Sequence, residues 1–233
     1  MASRPIYIPC FDGSTLVTTD FVDFKWHPGM APSQKKKSVE SLHSSAKRAL
    51  VCKHPLEISS KSLEPLGVEL SAFNLTVTTE KQRRKFTVET AYQSSKKFRD
   101  GGPYKDLLYG TSLAAKKDSR IRNSGPIVAF EFFGQLWPLE PRTAFYDWLY
   151  INALKKNTWA VERLQDYDAF TDIEFNPKKS INCQAYSVAL FLSLQGRGLL
   201  ADATSGKEEF LGIVGSASIS SATENTVVQP RLV

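Results

Sequence analysis

The sequence contains few cysteines and no long apolar run, and both features narrow the class of protein. Cys10, Cys52 and Cys183 are odd in number and widely spaced, which excludes a disulfide framework and favours the reduced thiols of a cytoplasmic protein. No stretch approaches the roughly 20 apolar residues that a membrane-spanning helix requires, and the N-terminal residues lack the apolar segment of a signal peptide. We therefore expect a cytoplasmic protein that has no membrane partner.

Sequence signatures of metal and nucleotide-cofactor sites are absent as well. The histidines His27, His43 and His54 lack metal-ligand spacing, and no cysteine pair lies nearby. The Gly-x-Gly-x-x-Ala sequence at 196–201 follows a predicted helix, whereas a dinucleotide site requires a preceding strand. We expect neither a metal nor a cofactor, and we expect His43 to be a hydrogen-bonded histidine of the core.

Positive charge is concentrated in the first half of the chain. Lysine and arginine number 30 against 24 aspartates and glutamates, which gives a net charge of +6. Between residues 34 and 54 the only carboxylate is Glu40, and between residues 81 and 99 it is Glu89, whereas residues 140–175 are mildly acidic. Two basic runs in one half favour a surface that binds phosphates, although solvated helix faces would explain either run alone.

The apolar spacing predicts a mixed α/β fold, mainly helical with short strands, in a single compact domain over residues 1–233. Helices are predicted over residues 34–50, 104–117, 142–156, 159–164 and 182–195, with Ser33 as the first N-cap, and after Thr87 as far as residues 100–103. Strands are predicted over residues 6–9, 16–26, 56–60, 68–77 and 170–175, with a hairpin over 127–137. Residues 212–233 are expected to form an edge strand or a flexible tail.

The helix after Thr87 carries the most informative side chains of the chain. At a spacing of four and then three residues, Glu89, Gln93 and Lys96 fall on one helical face. A carboxylate and an amine on one face can share a cleft and set each other's protonation. A surface salt-bridge ladder is the alternative, but Glu89 stands alone among cations at the start of its helix, after a predicted strand that ends at residues 70–74.

Two short motifs carry a family resemblance. The first is Leu70-Ser71-Ala72-Phe73, and the second has Val88, Glu89, Tyr92, Gln93 and Lys96 in register. They resemble the Leu-Ser-Asn-Phe and Val-Glu-His-x-Tyr-Gln-Ala-x-Lys-Phe motifs of the NADAR family, from which the chain departs at Ala72, Thr90 and Lys97. The longer segments 24–29, 31–38, 58–62 and 167–177 resemble the NADAR-type DarG antitoxins, which are partners of DarT toxins. The resemblance extends to about Leu200.

This resemblance implies an antitoxin that is an ADP-ribosyl glycohydrolase. A DarT-type toxin would attach ADP-ribose to guanine bases of DNA, and this protein would remove it, with ADP-ribose as the product. Glu89 would stabilise the cationic anomeric carbon or activate water. Lys96 would attack the opened sugar as an amine or bind a phosphate. Lys97 and Arg99, close to Lys96 in the sequence, are expected to lower its pKa and Glu89 to raise it, so that the outcome depends on burial.

The resemblance also implies a set of substrate-binding residues. Trp26 would stack on adenine or on a flipped base, with ordinary core packing as the alternative. The expected partners of ribose hydroxyls are Asp172, Asn176, Ser180 and Asn182. The expected partners of the pyrophosphate or the DNA backbone are Lys36, Lys61 and Lys179. The motif residues Ser71, Phe73 and Gln93 complete the set.

Two other functions stay open. The first is a non-catalytic antitoxin that neutralises its toxin by binding it, and release of free ADP-ribose from modified DNA distinguishes the two. The second is an N-glycosidase for a small phosphorylated metabolite, which other NADAR members resemble. The basic runs favour DNA over a metabolite as the substrate.

Overall fold

The computed structural model of the protein describes residues 1–29, 31–79, 84–177 and 180–216. Its helices are α1 (Pro32–Arg48), α2 (Pro65–Glu69), α3 (Val88–Ser94), α4 (Ser112–Lys117), α5 (Ser119–Asn123), α6 (Ala144–Lys155), α7 (Thr158–Leu164), α8 (Gln184–Gly196), α9 (Leu200–Ala203) and α10 (Lys207–Ser216), with a 3-10 helix over Lys105–Tyr109. Its strands are β1 (Ala2–Pro9), β2 (Val17–Phe24), β3 (Pro55–Glu57), β4 (Thr76–Thr78), β5 (Lys85–Thr87), β6 (Lys96–Phe98), β7 (Ile127–Phe132), β8 (Gln135–Trp137) and β9 (Ala169–Thr171). This mixture of many helices with short strands confirms the predicted α/β class.

A four-stranded sheet in the order β2-β1-β9-β3 separates two helical layers. β1 pairs antiparallel with β2 along its whole length and antiparallel with β9 at Tyr7, while β3 and β9 run parallel. Successive side chains of a strand point to opposite faces, so Ile6 packs in the cluster with Leu42 of α1, whereas Tyr7 packs in the larger cluster with Val188 of α8. The sheet therefore has a hydrophobic cluster on each face.

Two smaller sheets hold the short helix α3 at both ends. β4 and β5 form one sheet, and β6, β7 and β8 form the other. The strands β7 and β8 make the predicted hairpin, whose buried Trp137 lies 4.9 Å from the ring of Trp148 on α6. Since β5 leads directly into α3 and β6 follows it closely, both ends of the helix are fixed by strand pairing.

The N-terminus of α3 is fixed by two threonines. Thr87 Oγ1 accepts a hydrogen bond from the Thr90 backbone N–H at 3.1 Å, and Thr90 Oγ1 accepts one from the Thr87 N–H at 3.0 Å. This reciprocal capping box satisfies two donors at the helix start that would otherwise lack partners. The predicted cap at Thr87 is confirmed, and Thr90, which replaces a histidine of the family motif, contributes to the cap.

Several predicted boundaries are wrong. Residues 68–77 are not one strand, because α2 is followed by a hydrogen-bonded turn in which Asn74 N–H donates to the Ser71 carbonyl, and only then by β4. Helix α3 ends at Ser94, well before the glycines at 101 and 102, because Lys96 already pairs with Phe130 in the sheet of β6 and β7. The helix therefore ends where the chain can form hydrogen bonds with the edge of β7.

Other differences are smaller. The predicted helix over 104–117 is divided into a 3-10 helix and α4, and α1 begins with Pro32, so its N-cap is Ala31 and not Ser33. Residues 212–216 belong to helix α10 and not to an edge strand, while the rest of the predicted tail lies outside the described residues. The helices predicted over 142–156, 159–164 and 182–195 are confirmed as α6, α7 and α8.

The cysteines and the helix lengths bear on the expected class of protein. Cys10, Cys52 and Cys183 are all free thiols. Within the described part of the chain, none of the helices combines the length and the apolar character needed to cross a membrane.

Candidate active site

A cleft of about 1010 Å³ opens beside α3. Its walls come from the turn after α2, from α3 and β6, from the loop after β3, and from the segment between β9 and α8. The predicted site residues that line it are Lys61, Ser71, Phe73, Glu89, Gln93, Lys96, Asp172, Ser180 and Asn182. Residues far apart in the sequence are thus brought to one cavity.

The centre of the cleft wall is a hydrogen-bonded row of three side chains. Gln93 Nε2 donates to Glu89 Oε1 at 3.0 Å, and Lys96 Nζ donates to Gln93 Oε1 at 2.8 Å. Glu89 and Gln93 are buried, with exposed fractions of 7% and 6%. The amide of Gln93 therefore holds the amine and the carboxylate in one place without a direct ion pair between them.

Lys96 reaches this row from a strand and not from the helix that the sequence predicts. The chain passes from the end of α3 into β6, and the Lys96 ammonium lies 4.7 Å from the centre of the Tyr92 ring. Tyr92 in turn accepts a hydrogen bond from Asn182 Nδ2 at 2.6 Å through its hydroxyl. The residues that the sequence motif groups do lie together, although the geometry that unites them is a helix-to-strand transition.

Burial controls the protonation of Lys96. The pKa of Lys96 is lowered from 10.5 to about 8, mainly by desolvation and also by Lys116 of α4, while the charge of Glu89 opposes this change. Lys97 and Arg99, which were expected to contribute, do not act here. Lys97 points to the opposite face of β6, where its charge affects Glu131, and Arg99 is exposed and pairs with Asp100 at 3.0 Å.

The turn after α2 joins the cleft to α3 and α8. The Glu89 N–H donates to the Ala72 carbonyl at 2.9 Å, and the Ala72 N–H donates to Gln184 Oε1 at 2.7 Å. Among the described residues, Ser71 Oγ and Asn182 Oδ1 are buried without a hydrogen-bond partner. Since buried polar atoms are nearly always paired, these two atoms at the cleft are suited to contact a ligand.

The sequence analysis missed a buried acid, Glu57, that interacts with Asp172 of the cleft. Glu57 of β3 accepts hydrogen bonds from Ser59 Oγ at 2.6 Å, Thr171 Oγ1 at 2.6 Å and the Ile173 N–H at 2.8 Å. Because Thr171 uses its proton for Glu57, His43 Nε2 donates to Thr171 at 2.9 Å. This agrees with the predicted hydrogen-bonded histidine, and burial lowers the pKa of His43 to about 4. A carboxylate in a short buried strand is the signal that could have indicated Glu57.

The carboxyl group of Asp172 lies between this buried network and the cleft. It accepts the backbone N–H groups of Glu174 at 3.0 Å and Phe175 at 3.1 Å. Burial raises the pKa of Asp172, and the charge of Glu174 adds to the rise. Burial and the nearby Asp172 likewise raise the pKa of Glu57. Because the charge of one group disfavours ionisation of the other, the two carboxyl groups do not ionise independently.

Some predicted residues lie elsewhere, and some lining residues were not predicted. Trp26 and Lys36 do not line the cleft, and Asn176 lies between two lining residues without lining it itself. Lys179 and the basic residues at 81 and 83 lie outside the described residues. The cations Lys116 and Arg142 and the aromatic residues Tyr92 and Tyr146 line the cleft but were not proposed as site residues. Among the residues that the structure describes, no cluster of metal-ligating side chains could hold an ion.

Comparison with known proteins shows the family of the chain. None of the curated proteins compared with the chain matches it. The pattern of the family described as DarT1-associated NADAR antitoxin matches residues 2–224, which is nearly the whole chain. The motif residues that carry the resemblance, Glu89, Gln93 and Lys96, are those that the fold brings together at the cleft. The protein therefore belongs to the DarT1-associated NADAR antitoxins.

Proposed function

We propose that the protein hydrolyses the N-glycosidic bond between ADP-ribose and a guanine base of DNA, and so reverses the modification made by a DarT-type toxin. The observation that supports this proposal most directly is the row of Glu89, Gln93 and Lys96 at the cleft. It combines a buried carboxylate with an amine of lowered pKa, which are the two groups that cleavage at an anomeric carbon can use.

The cleft suits a substrate that has both a diphosphate and aromatic rings. Sites for drug-sized ligands measure about 300–1,000 Å³, so a cleft of about 1010 Å³ has room for ADP-ribose together with a flipped base. Lys61, Lys116 and Arg142 supply positive charge for the diphosphate, and the unpaired Ser71 Oγ and Asn182 Oδ1 supply polar contacts for ribose hydroxyls.

In the proposed reaction Lys96 acts as the nucleophile and Glu89 as the acid–base group. Opening of the ribose ring breaks the bond between C1 and the ring oxygen, the ring oxygen takes up a proton through Glu89, and C1 stays bonded to the base nitrogen as an imine. The Lys96 amine then bonds to C1, the bond from C1 to the base nitrogen breaks, and the base leaves with a proton that passes through Glu89. Water adds to the resulting lysine imine, which returns the amine and releases ADP-ribose, so that one water is consumed in each cycle.

Lowering the pKa of Lys96 makes this step available near neutral pH. At pH 7 an amine with a pKa of about 8 is about 9% unprotonated, whereas one with a pKa of 10.5 is about 0.03% unprotonated. Burial therefore increases the reactive form by roughly 300-fold. Gln93 accepts a hydrogen bond from Nζ and so keeps the amine next to Glu89.

The test is release of free ADP-ribose from an oligonucleotide that carries ADP-ribosylated guanine, measured by chromatography. We expect the wild-type protein to release it, and Glu89→Gln to fold normally but to lose at least about 100-fold in rate, because one acid–base group contributes that much. A protein that protects cells from the toxin without releasing ADP-ribose would be a binding antitoxin. Release from a small phosphorylated nucleoside but not from DNA would indicate the metabolite enzyme.

A further inference from the structure

A group of cations surrounds Trp26 outside the cleft. The Lys35 ammonium lies 4.7 Å and the Arg4 guanidinium 5.5 Å from the centre of the Trp26 ring. Lys36 and Lys37 follow on the exposed side of α1. We refer to Arg4, Trp26, Lys35, Lys36 and Lys37 as the α1 basic surface. The reaction proposed above uses none of them.

The cations of this surface form no ion pairs with the residues that the structure describes. In the described ranges, none of the four cations has a carboxylate within ion-pair distance. Glu40 is the nearest acid along α1, and it too has no ion pair there. Lys35, Lys36 and Lys37 also stand near the start of α1, whose first turn contains no acidic residue. Lys35 completes this first turn, where a cation at the positive end of the helix dipole weakens the helix.

Arg4 connects the surface to the cleft. Its Nε atom is buried and has no hydrogen-bond partner among the described residues. Burial lowers the pKa of Arg4, and the charge of Asp172, which lines the cleft, raises it. Arg4 is carried by β1, which lies next to β9 in the sheet, so that about one strand spacing of 4.8 Å separates the two strands. The guanidinium is therefore in electrostatic reach of the cleft floor.

We propose that the α1 basic surface binds the DNA strand beside the modified base, with its cations on backbone phosphates and Trp26 stacked on a neighbouring base. This inference rests on the proposed function, because it assumes that the base in the cleft belongs to DNA. An aromatic ring with cations on both sides suits a base that stacks between backbone phosphates of a strand.

Binding of an unmodified, fluorescently labelled 12-nucleotide single strand tests this surface without any need for hydrolysis. Anisotropy is measured at several salt concentrations for the wild type, Lys35→Gln, Trp26→Ala and the matched control Lys47→Gln. Lys47 is an exposed lysine at the other end of α1. We expect the slope of log K against log salt to fall by about 0.7 for Lys35→Gln. Trp26→Ala should weaken binding by about 5- to 150-fold, the range for one stacked base, and Lys47→Gln should behave as the wild type.

A second variant separates binding from folding. Lys36→Glu reverses the charge of an exposed side chain in the second turn of α1, so it should change the melting temperature by no more than about 2 °C while it weakens DNA binding. A variant that binds more weakly although its stability is unchanged cannot have lost affinity by misfolding. Equal affinities and salt slopes for Lys35→Gln and Lys47→Gln would overturn the inference.

The experiments can refute this inference and the proposed function independently of each other. If the protein releases no ADP-ribose but its DNA affinity still depends on Lys35 and Trp26, the surface is supported and the proposed reaction is wrong. If it releases ADP-ribose equally well from the oligonucleotide and from the isolated modified nucleoside, and Lys35→Gln does not change that ratio, the reaction stands and the surface is refuted.

Discussion

The lowered pKa of Lys96 predicts a particular dependence of the rate on pH. With a pKa of about 8, the unprotonated amine is about 1% of the total at pH 6, about 9% at pH 7 and about 91% at pH 9. We therefore expect the rate of ADP-ribose release to rise about tenfold from pH 6 to pH 7 and to level off above pH 8. The assay follows ADP-ribose release from the modified oligonucleotide between pH 6 and pH 9.5 under subsaturating substrate.

Lys116 provides the perturbation that connects this profile to the structure. Its positive charge lowers the pKa of Lys96, so Lys116→Gln should move the rising limb of the profile to higher pH. One charge pair near a surface is worth about 0.4–1 kcal/mol, which corresponds to a loss of about two- to fivefold at pH 7. At pH 9.5, where Lys96 is mostly unprotonated in both proteins, any difference that remains comes from the contact of Lys116 with the diphosphate. Lys117→Gln, which removes the exposed next lysine on α4, is the matched control and should leave the profile in place.

A covalent trap checks the same reasoning directly. Borohydride added during turnover should reduce the imine and leave an ADP-ribosyl adduct on Lys96, which peptide mass spectrometry locates. Lys96→Arg should lose both adduct and activity, because a guanidinium stays protonated at these pH values. A rate that is independent of pH between 6 and 9, together with an active Lys96→Arg variant, would refute the nucleophilic role. Lys96 would then bind phosphate or carboxylate, and Glu89 would act alone with water.

Further perturbations test other parts of the structure. Glu57→Ala should lower the free energy of unfolding by about 1–3 kcal/mol in urea denaturation, because the Ser59 and Thr171 hydroxyls and the Ile173 N–H lose their buried partner; unchanged stability would show that the network is not formed. Thr87→Ala should lower the free energy of unfolding by about 1 kcal/mol in the same assay, because it removes the capping box. An unchanged free energy would show that the cap does not stabilise α3. Burial raises the pKa of Asp147 from 3.8 to about 7, so the folded state retains a proton that the unfolded state loses; stability should therefore decrease as pH rises from about 4 to 7, and Asp147→Asn should flatten that decrease in thermal melts. Reversal of Arg84 to Glu should weaken binding to modified DNA in an anisotropy assay with a salt-dependent loss, whereas a loss that salt does not change would favour the metabolite substrate.

The sequence predicted the parts of the fold that depend on local pattern. The amphipathic helix α1, the apolar helix α8 and the cap at Thr87 follow from apolar spacing and from capping chemistry. The end of α3 could not be predicted in this way, because Lys96 leaves the helix to pair with Phe130, more than thirty residues later in the chain. The helix or strand propensity of neighbouring residues carries no information about such a long-range pairing.

The candidate site, like the fold, could be predicted from the sequence only in part. Glu89, Gln93 and Lys96 were recognised because their types and spacing are informative in the sequence itself. Lys116 and Glu57 were missed because their importance comes from burial and from neighbours on other elements. The pKa of Lys96 is lowered by desolvation first, a quantity that no count of neighbouring charges along the chain can supply.

The contact between Trp137 and Trp148 has a consequence for optical spectroscopy. Two indole rings whose centres lie 4.9 Å apart, with Trp137 fully buried, couple their electronic transitions and should give an exciton couplet in the circular dichroism spectrum. That signal depends on the packing of the β7–β8 hairpin against α6, whereas the emission of the half-buried Trp26 depends on what occupies the surface around α1. One sample can thus report on the packing of the core by circular dichroism and on binding at the surface around Trp26 by fluorescence.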